Sequence, residues 1–274
     1  MGNVAGLTKI SRERLSKVLR SAKNVVSVET AALSLRISRK EAAQKLSQWA
    51  RQGWLSRVRR GLYVPVPLES RTADIALEDP WIIADRLFTP CYIGGWSAAE
   101  HWELTEQIFR SIVVMTTRKP RDRKPVIKGT AFVLRTVPRE ALFGTKPIWR
   151  GPVKVSVSDA TRTVLDMLDD PGLGGGLRPM VDVFRAYLNS SAKDLELLAS
   201  YAERLGNGAV YKRLGYLLER YSPGEKSTIE ICRSRLSTGY AKLDPSLKAG
   251  GLVTKWRLWI PENWRKELNI DRPA

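Results

Sequence analysis

The residues best suited to chemistry lie in two basic segments between positions 38 and 63. At helical spacing, the first presents a polar stripe without a carboxylate: Lys40, Gln44, Ser47 and Arg51, with Arg39 and Lys45 beside it. The second places three arginines next to Gly61: Arg57, Arg59 and Arg60. Guanidinium and ammonium groups pair with phosphate oxygens, and Arg, Lys and Gln also hydrogen bond to base edges. The two segments therefore predict a DNA interface.

Individual roles follow from these hydrogen-bonding preferences. Gln44 is suited to adenine and Arg39 or Lys40 to guanine, whereas Ser38 and the arginines of the second segment are suited to phosphates. The full set of predicted DNA-binding residues is Ser38, Arg39, Lys40, Gln44, Lys45, Ser47, Arg51, Arg57, Arg59, Arg60 and Tyr63.

Three helices must hold the polar stripe in place. The first is predicted from an apolar face at i, i+3, i+4 and i+7, formed by Leu15, Val18, Leu19 and Ala22. A second is predicted at residues 28–35, followed by a turn at Arg36-Ile37. Ser38 and Glu41 then make the capping box of a third helix, which Gly53 ends. The third helix has its own apolar stripe: Ala42, Leu46, Trp49 and Ala50.

The segment WLSRVRRGLYVPV, residues 54–66, predicts a β-hairpin that follows the third helix. Its core-facing residues are expected to be Trp54, Val58, Leu62 and Val64, with the arginines at the tip. This order of elements is that of a winged helix-turn-helix, whose third helix enters the major groove. The same elements also suit a protein-interaction module with a solvated basic face.

The charge of the whole chain agrees with a polyanionic partner. Its 274 residues carry 46 Lys and Arg against 28 acids, a formal charge of +18. Residues 1–75 alone carry 15 basic residues and five acidic ones. No apolar run approaches the roughly 20 residues of a membrane-spanning helix, and the amino terminus lacks the apolar core of a secretory signal. Together with two separated thiols, Cys91 and Cys232, this predicts a cytoplasmic protein.

The pattern changes after residues 66–78, which predict a linker between a domain at 1–75 and another at 76–274. The second domain is expected to be a larger mixed α+β (α/β) unit. Its predicted strands are residues 91–93, 111–117, 130–137 and 153–157, with a last strand at 253–260 that returns to the same sheet. Its predicted helices are residues 81–88, 161–170, 177–189, 193–204 and 208–220, with Asp159 as a cap and a Ser97–Glu100 capping box for one more.

These residues resemble a known family. The pattern A-x-x-L-x-I-S-R, A-x-x-L-x-x-W, G-W-L-x-R-V-R-R-G-L-Y, from Ala32 to Tyr63, is similar to the amino-terminal domain of AbiEi antitoxins of type IV toxin–antitoxin systems. The likeness continues through GGWSAAEHWELTEQ (94–107), DATRTVLDML (159–168), RLGYLLE (213–219) and LDPSLKAGG with KWRLWI (243–260).

The resemblance implies a transcriptional autorepressor that binds inverted repeats upstream of its own operon. It also implies a co-encoded nucleotidyltransferase-type toxin, which the carboxy-terminal domain counteracts without stable contact. In the family, DNA is met at the positions that correspond to the wing arginines Arg59 and Arg60 and to Arg39, Lys40 and Gln44.

One segment departs from the family pattern. The loop RKPRDRKPVIK, residues 118–128, carries six cations and one acid: Arg118, Lys119, Arg121, Arg123, Lys124 and Lys128, with Asp122. It is either a second phosphate-contacting surface or a charged hairpin tip. Cations that neutralise phosphates would make binding more dependent on salt.

Residues for catalysis are few, and no catalytic residue, cofactor or metal ligand is predicted. A single histidine, His101, and two distant cysteines do not make a zinc site, and GLGGGL (172–177) is expected to be a flexible turn. The enzymatic alternative is a metal-dependent nuclease that uses carboxylates from Asp159, Asp166, Asp169 and Asp170 with Lys154. Against it, Asp159 is expected to cap a helix and the others to lie on its solvated side or end.

A third class is a pure interaction protein, with a partner-binding face in the helical region 177–221. An apolar stripe there is expected to belong to the core: Leu195, Leu198, Tyr201, Ala202 and Leu205.

Overall fold

The computed structural model describes residues 8–22, 25–66, 79–151, 153–262 and 264. The predicted linker at 66–78 therefore lies, except for Val66, outside the described residues, and the boundary between residues 75 and 76 stays a prediction. Three 3-10 helices supplement the regular elements, at Arg139–Ala141, Pro171–Gly174 and Thr254–Trp256.

The amino-terminal part confirms the predicted winged helix-turn-helix. Helices α1 (Lys9–Ala22), α2 (Val28–Leu35) and α3 (Arg39–Arg51) are followed by the hairpin β2 (Leu55–Arg59) and β3 (Leu62–Pro65). A two-residue strand that the sequence did not predict, β1 (Val26–Ser27), joins the hairpin in the order β1-β3-β2, all antiparallel. We refer to β2 and β3 as the wing.

The core under α3 is formed by side chains from all of these elements. Leu15, Val18, Leu46 and Trp49 are buried together, and the Trp49 indole Nε1 donates to Ser11 Oγ at 3.0 Å. From the wing it is Leu55 and Tyr63 that are buried in this core. The expected core residues Trp54 and Val58 are half-buried, Trp54 against this same core and Val58 against the buried cluster that contains Leu62.

Leu62 and Val64 are buried, as predicted, but on the opposite face of β3 from Tyr63. With Val25 they belong to the same buried cluster as Trp81 and Ile82 of the next helix along the chain. Both faces of β3 are therefore buried. One face packs into the core under α3, and the other packs into the cluster that contains the helix at residues 80–88.

The second part contains a six-stranded mixed sheet. Its strands are β4 (Cys91–Ile93), β5 (Ser111–Thr116), β6 (Val126–Ile127), β7 (Thr130–Thr136), β8 (Thr145–Arg150) and β9 (Val153–Ser158), in the order β6-β7-β5-β4-β9-β8. The β5–β7 and β4–β9 pairs are parallel and the other neighbours antiparallel. The sequence predicted four of these strands and missed the edge strands β6 and β8.

Helices cover both faces of this sheet. On one face α4 (Pro80–Phe88) packs against Ile93, Val114 and the inward side chains of β9. The other face, with Tyr92, Val113 and Met115, packs against the main helical core. Its helices are α5 (Gly95–His101), α6 (Ala160–Asp169), α7 (Leu177–Asn189), α8 (Leu195–Leu205), α9 (Gly208–Tyr221) and α10 (Lys226–Ser234). Only α10 has no predicted counterpart.

Two predictions about local structure are wrong. Ser97 does not cap a helix with Glu100: α5 begins at Gly95, and the Ser97 hydroxyl lies inside it and accepts a hydrogen bond from the Val113 backbone at 3.0 Å. The last strand does not return to the main sheet. It forms a separate one, β10 (Ala241–Lys242), β11 (Ala249–Val253) and β12 (Leu258–Pro261), in the order β10-β12-β11.

One of the contacts that hold this small sheet against α9 is especially close. Trp256 is fully buried, and a Cβ added at Gly215 of α9 would lie 2.1 Å from its ring. We expect Gly215→Ala to lower the free energy of unfolding by about 1–3 kcal/mol, because the enclosed indole has no room to shift. Urea unfolding followed by tryptophan fluorescence measures the change. The matched control is Gly224→Ala, which meets no atom within 4 Å and should stay within about 0.5 kcal/mol of the original chain. An equal effect of the two substitutions would contradict this account.

Candidate nucleic-acid interface

Side-chain caps fix the start of each helix in the turn region. Ser27 accepts a hydrogen bond from the Thr30 backbone at 3.0 Å and so begins α2. After α2 the chain reverses at Arg36, whose φ of 55° lies in the left-handed region. Ser38 then forms the predicted capping box: its hydroxyl accepts from Glu41 N at 3.2 Å, and Glu41 Oε2 accepts from Ser38 N at 2.9 Å. These caps set the direction in which α3 leaves the turn.

The polar stripe of α3 faces away from the core, as predicted. Lys40, Gln44 and Arg51 are exposed and Ser47 is half-buried, whereas Ala42, Leu46 and Trp49 on the opposite side are buried. The stripe forms a crest between two clefts. The first, of about 500 Å³, lies between α3, the start of α2 and the wing. The second, of about 690 Å³, lies between α3 and α1.

Most of the basic residues predicted on α3 and the wing line the first cleft, which we call the wing cleft. Its lining includes Arg39 and Ser47 from α3 and Arg57, Arg59 and Arg60 from the wing. A register shift between Arg57 and Arg59 makes a bulge in β2, and the turn closes at Gly61 with a φ of 81°. The three wing arginines are all exposed, so this cleft is lined by guanidinium groups from two directions.

The α1 cleft contains residues that the sequence analysis missed. Beside the predicted Gln44, Lys45 and Arg51 it is lined by Arg14 and Gln48. Gln48 lies four residues after Gln44 on the same helix face, a spacing that could have identified it. Arg14 carried no such signal, because nothing in the sequence says which polar side of α1 lies next to α3.

Several predicted residues are engaged within the chain. The Ser38 hydroxyl donates to Glu41 Oε2 at 2.8 Å, and these hydrogen bonds from Ser38 lower the pKa of Glu41. Arg39 pairs with Glu29 at 2.9 Å, both side chains being largely exposed. Tyr63 is only 4% exposed and packs under α3. Of all the predicted DNA contacts, those of Ser38 and Tyr63 are the ones that the local geometry argues against.

Comparison with known families supports this geometry. A family model described as "Transcriptional regulator, AbiEi antitoxin" matches residues 13–66, the span of the helix-turn-helix and the wing. The predicted AbiEi resemblance is confirmed there. All the predicted DNA-binding residues of α3 and the wing lie within this AbiEi segment, and the description of the family supports a DNA-binding regulator. No curated protein matches the chain.

The basic loop at residues 118–128 lies outside the AbiEi segment, at the β6 edge of the large sheet. Arg118, Lys119, Arg121, Arg123 and Lys124 are exposed, and Lys128 is half-buried at the β6–β7 turn with a φ of 50°. One hydrogen bond lies at its start, from Arg118 N to Thr116 Oγ1 at 3.1 Å, and another within it, from Lys124 N to Asp122 Oδ1 at 2.8 Å. The segment is thus a loop followed by a hairpin tip, and none of its described residues lines either cleft.

The carboxylates of the nuclease alternative all serve the fold. Asp159 caps α6, accepting from Arg162 N at 2.7 Å, and also accepts from the Tyr201 hydroxyl at 3.0 Å. Asp169 accepts from Asn207 and Asp170 from Gly172 N at 3.1 Å. Over the described ranges, no three His, Cys, Asp or Glu side chains come together as metal ligands.

Asp166 is not on the solvated side of α6, and that expectation is wrong. It is 1% exposed, paired with Arg162 Nε at 2.9 Å and hydrogen bonded by the Tyr92 hydroxyl at 3.0 Å. Burial raises the pKa of Asp166 to about 6, although the charge of Arg162 opposes the shift. This polar cluster joins α6 to β4 inside the main core.

The remaining candidate residues are also packed. His101 lies edge-on to Trp81 and Trp102, with ring centroids 5.6 and 4.7 Å away, and its burial lowers its pKa. Cys91 and Cys232 are free thiols, and burial raises the pKa of each to about 12. The apolar stripe of α8 belongs to the main core, as predicted. In the part of the chain that the structure describes, no helix is long and apolar enough to cross a membrane.

The capping box yields a test that separates a structural role of Ser38 from a role in DNA contact. We expect Ser38→Ala to lower the free energy of unfolding by about 1 kcal/mol, because the Glu41 N–H in the first turn of α3 loses its acceptor. Amide hydrogen exchange in the first turn of α3 should then be about fivefold faster in the absence of DNA. Ser38→Asn keeps a capping oxygen and serves as the control with unchanged exchange. Unchanged exchange in Ser38→Ala would remove the structural role.

Proposed function

We propose that the chain is a sequence-specific repressor that binds double-stranded DNA through α3 and the wing. The observation that carries this proposal is the crest of α3, which projects between two clefts with cations on both sides. A DNA duplex is complementary in shape and charge, because its major groove is a concave surface flanked by two negatively charged phosphate backbones. The crest fits the groove, and each cleft lies where a backbone would pass.

In this arrangement the side chains divide into two groups. Lys40 and Gln44, in the first half of α3, are placed to meet base edges, as the amino-terminal residues of recognition helices do. Arg57, Arg59 and Arg60 would neutralise phosphates on the wing side, and Arg14 and Arg51 those on the α1 side. Ser47 and Lys45 complete the contacts on the two flanks of the crest.

The proposal extends to regulation, on the strength of the AbiEi match. The chain would be the autoregulating antitoxin of a type IV system, acting in the cytoplasm on inverted repeats in its own promoter. A co-encoded nucleotidyltransferase-type toxin would be its functional partner, counteracted by the carboxy-terminal part without a stable complex. The loop at 118–128 would add phosphate contacts from outside the AbiEi segment.

Binding to the chain's own upstream DNA tests the repressor. We expect Arg39→Ala/Lys40→Ala/Gln44→Ala to lose about 30-fold or more in affinity for a repeat, because at least two base contacts worth about 1–3 kcal/mol each are removed. The Arg86→Ala/Lys226→Ala variant removes the same charge outside the AbiEi segment, on α4 and α10, and should bind as the original chain does. Anisotropy titrations across a salt series, beside a random duplex of equal length, make the measurement.

Either of two results would overturn sequence-specific binding. One is equal affinity for the repeat and the random duplex, and the other is an equal effect of the two variants. The same titrations test the loop at 118–128. If its cations contact phosphates, Lys119→Ala/Lys124→Ala lowers the slope of log K against log salt by about two.

Replacing Glu29 should strengthen DNA binding, whereas the variants above should weaken it. Its carboxylate lines the wing cleft and pairs with Arg39, so it repels phosphate and competes for the guanidinium. We expect Glu29→Gln to tighten DNA binding several-fold at low salt, with a smaller gain at high salt because the repulsion is screened. Glu230→Gln, an equivalent change on exposed α10, is the control. Weaker binding by Glu29→Gln would mean that Glu29 is needed to position Arg39.

A further inference from the structure

The small carboxy-terminal sheet has an outer face that is apolar and aromatic. Its register pairs Lys242 with Trp259 and Trp259 with Leu252, so the three side chains form one row across the sheet. Trp259 is 39% exposed and Leu252 37%. The neighbouring row, which includes Leu258, faces inward onto α9. An exposed row of this kind is unlike the usual polar outer face of an antiparallel sheet.

A second aromatic ring extends this row. Tyr240 is 59% exposed, and its ring centroid lies 6.4 Å from that of Trp259 at an angle of 48°. The two rings are side by side and tilted, so each keeps part of one face open to solvent. We call Tyr240, Lys242, Leu252 and Trp259 the aromatic platform.

Basic side chains beside the platform hold its backbone in place. Lys212 Nζ donates to Ser237 Oγ at 2.8 Å and to the Gly239 carbonyl, and Arg257 Nη1 donates to the Ser237 carbonyl at 2.9 Å. Arg213 Nε donates to the Lys242 carbonyl at 2.9 Å. These contacts fix the loop before Tyr240 and the strand after it. A ligand would therefore meet a preformed surface and pay little ordering entropy.

The charge around the platform is positive. Lys242 lies in the row itself, and Lys212 and Arg257 donate to neutral oxygens of the loop before Tyr240. The acids nearby are engaged or distant from the row. Asp244 is 3% exposed and accepts from Ser246, whereas Glu262 lies beside Gly250 at the far end of the sheet. A negatively charged ligand with flat apolar groups matches this combination.

We infer that the aromatic platform binds single-stranded nucleic acid, with one base stacked on Tyr240 and one on Trp259. Exposed aromatics on a sheet surface receive unstacked bases, and neighbouring lysines receive the backbone phosphates. Bases stacked inside a duplex cannot present their faces to these rings. The platform is therefore a second nucleic-acid surface, which prefers single strands where α3 prefers a duplex. This inference does not depend on the proposed operator.

The test uses the full chain with labelled dT12 and U12 oligonucleotides, in the presence of saturating unlabelled duplex that occupies the winged helix. We expect Tyr240→Ala/Trp259→Ala to weaken binding of single strands at least tenfold while duplex binding is unchanged. Tyr240→Phe keeps the stacking face and should bind as the original chain does. Trp149→Ala is the matched control, because Trp149 is 63% exposed on β8 of the other sheet. A circular dichroism spectrum confirms that each variant is folded.

Several outcomes overturn the inference. Equal affinity of the double variant and the original chain for both oligonucleotides would do so, as would an equal loss in Trp149→Ala. Sedimentation measures the competing occupant, a second copy of this chain. A concentration-dependent dimer that the double variant abolishes, with oligonucleotide affinity unchanged, would assign the platform to self-association. A loss confined to U12 or to dT12 supports the inference and identifies the sugar that the platform accepts.

Discussion

Strand β3 has two buried faces, and the rest of the molecule is arranged around that constraint. Tyr63 points into the core that supports α3, whereas Leu62 and Val64 point into the cluster that contains α4. A strand with side-chain period two can join two cores in this way only if neither face is polar. The wing is thus both the flank of the candidate interface and the place where the AbiEi segment meets the large sheet. The exposed arginines of the wing lie on β2 and in the turn, whereas β3 carries none.

The sequence predicted this segment well because its signals are local. The cap at Ser38, the apolar stripes and Gly61 each act within a few residues, and each is found where the sequence placed its element. What the sequence could not supply is which face of the hairpin meets which core. Because the period is two, side chains of the hairpin meet different cores: Leu55 is buried under α3, whereas Val58 packs against the cluster that contains α4. That choice depends on β1 and α4, which are remote in sequence.

The errors in the second part have a common physical cause. Ser97 and Asp166 were assigned from patterns of three or four residues, yet each has a partner far along the chain. Ser97 accepts a hydrogen bond from the Val113 backbone, and Asp166 accepts one from the Tyr92 hydroxyl, 74 positions away in the sequence. A buried carboxylate in a helix is stable only when a cation and hydrogen bonds compensate its desolvation. Nothing in the local pattern of α6 reveals that Arg162 and Tyr92 do so. The edge strands β6 and β8 are missed for the same reason, since their neighbours define them.

Positive charge alone does not identify the interface, and the structure shows why geometry has to decide. Cations occur on the wing, on the loop at 118–128 and around the small sheet, but they are combined with different surfaces. On α3 they flank a convex helix with amide side chains, which suits the groove of a duplex. Around Tyr240 and Trp259 they flank flat exposed rings, which suit unpaired bases. On the loop they have neither a crest nor an aromatic ring beside them. Such cations can strengthen binding to a backbone, but they cannot select a sequence.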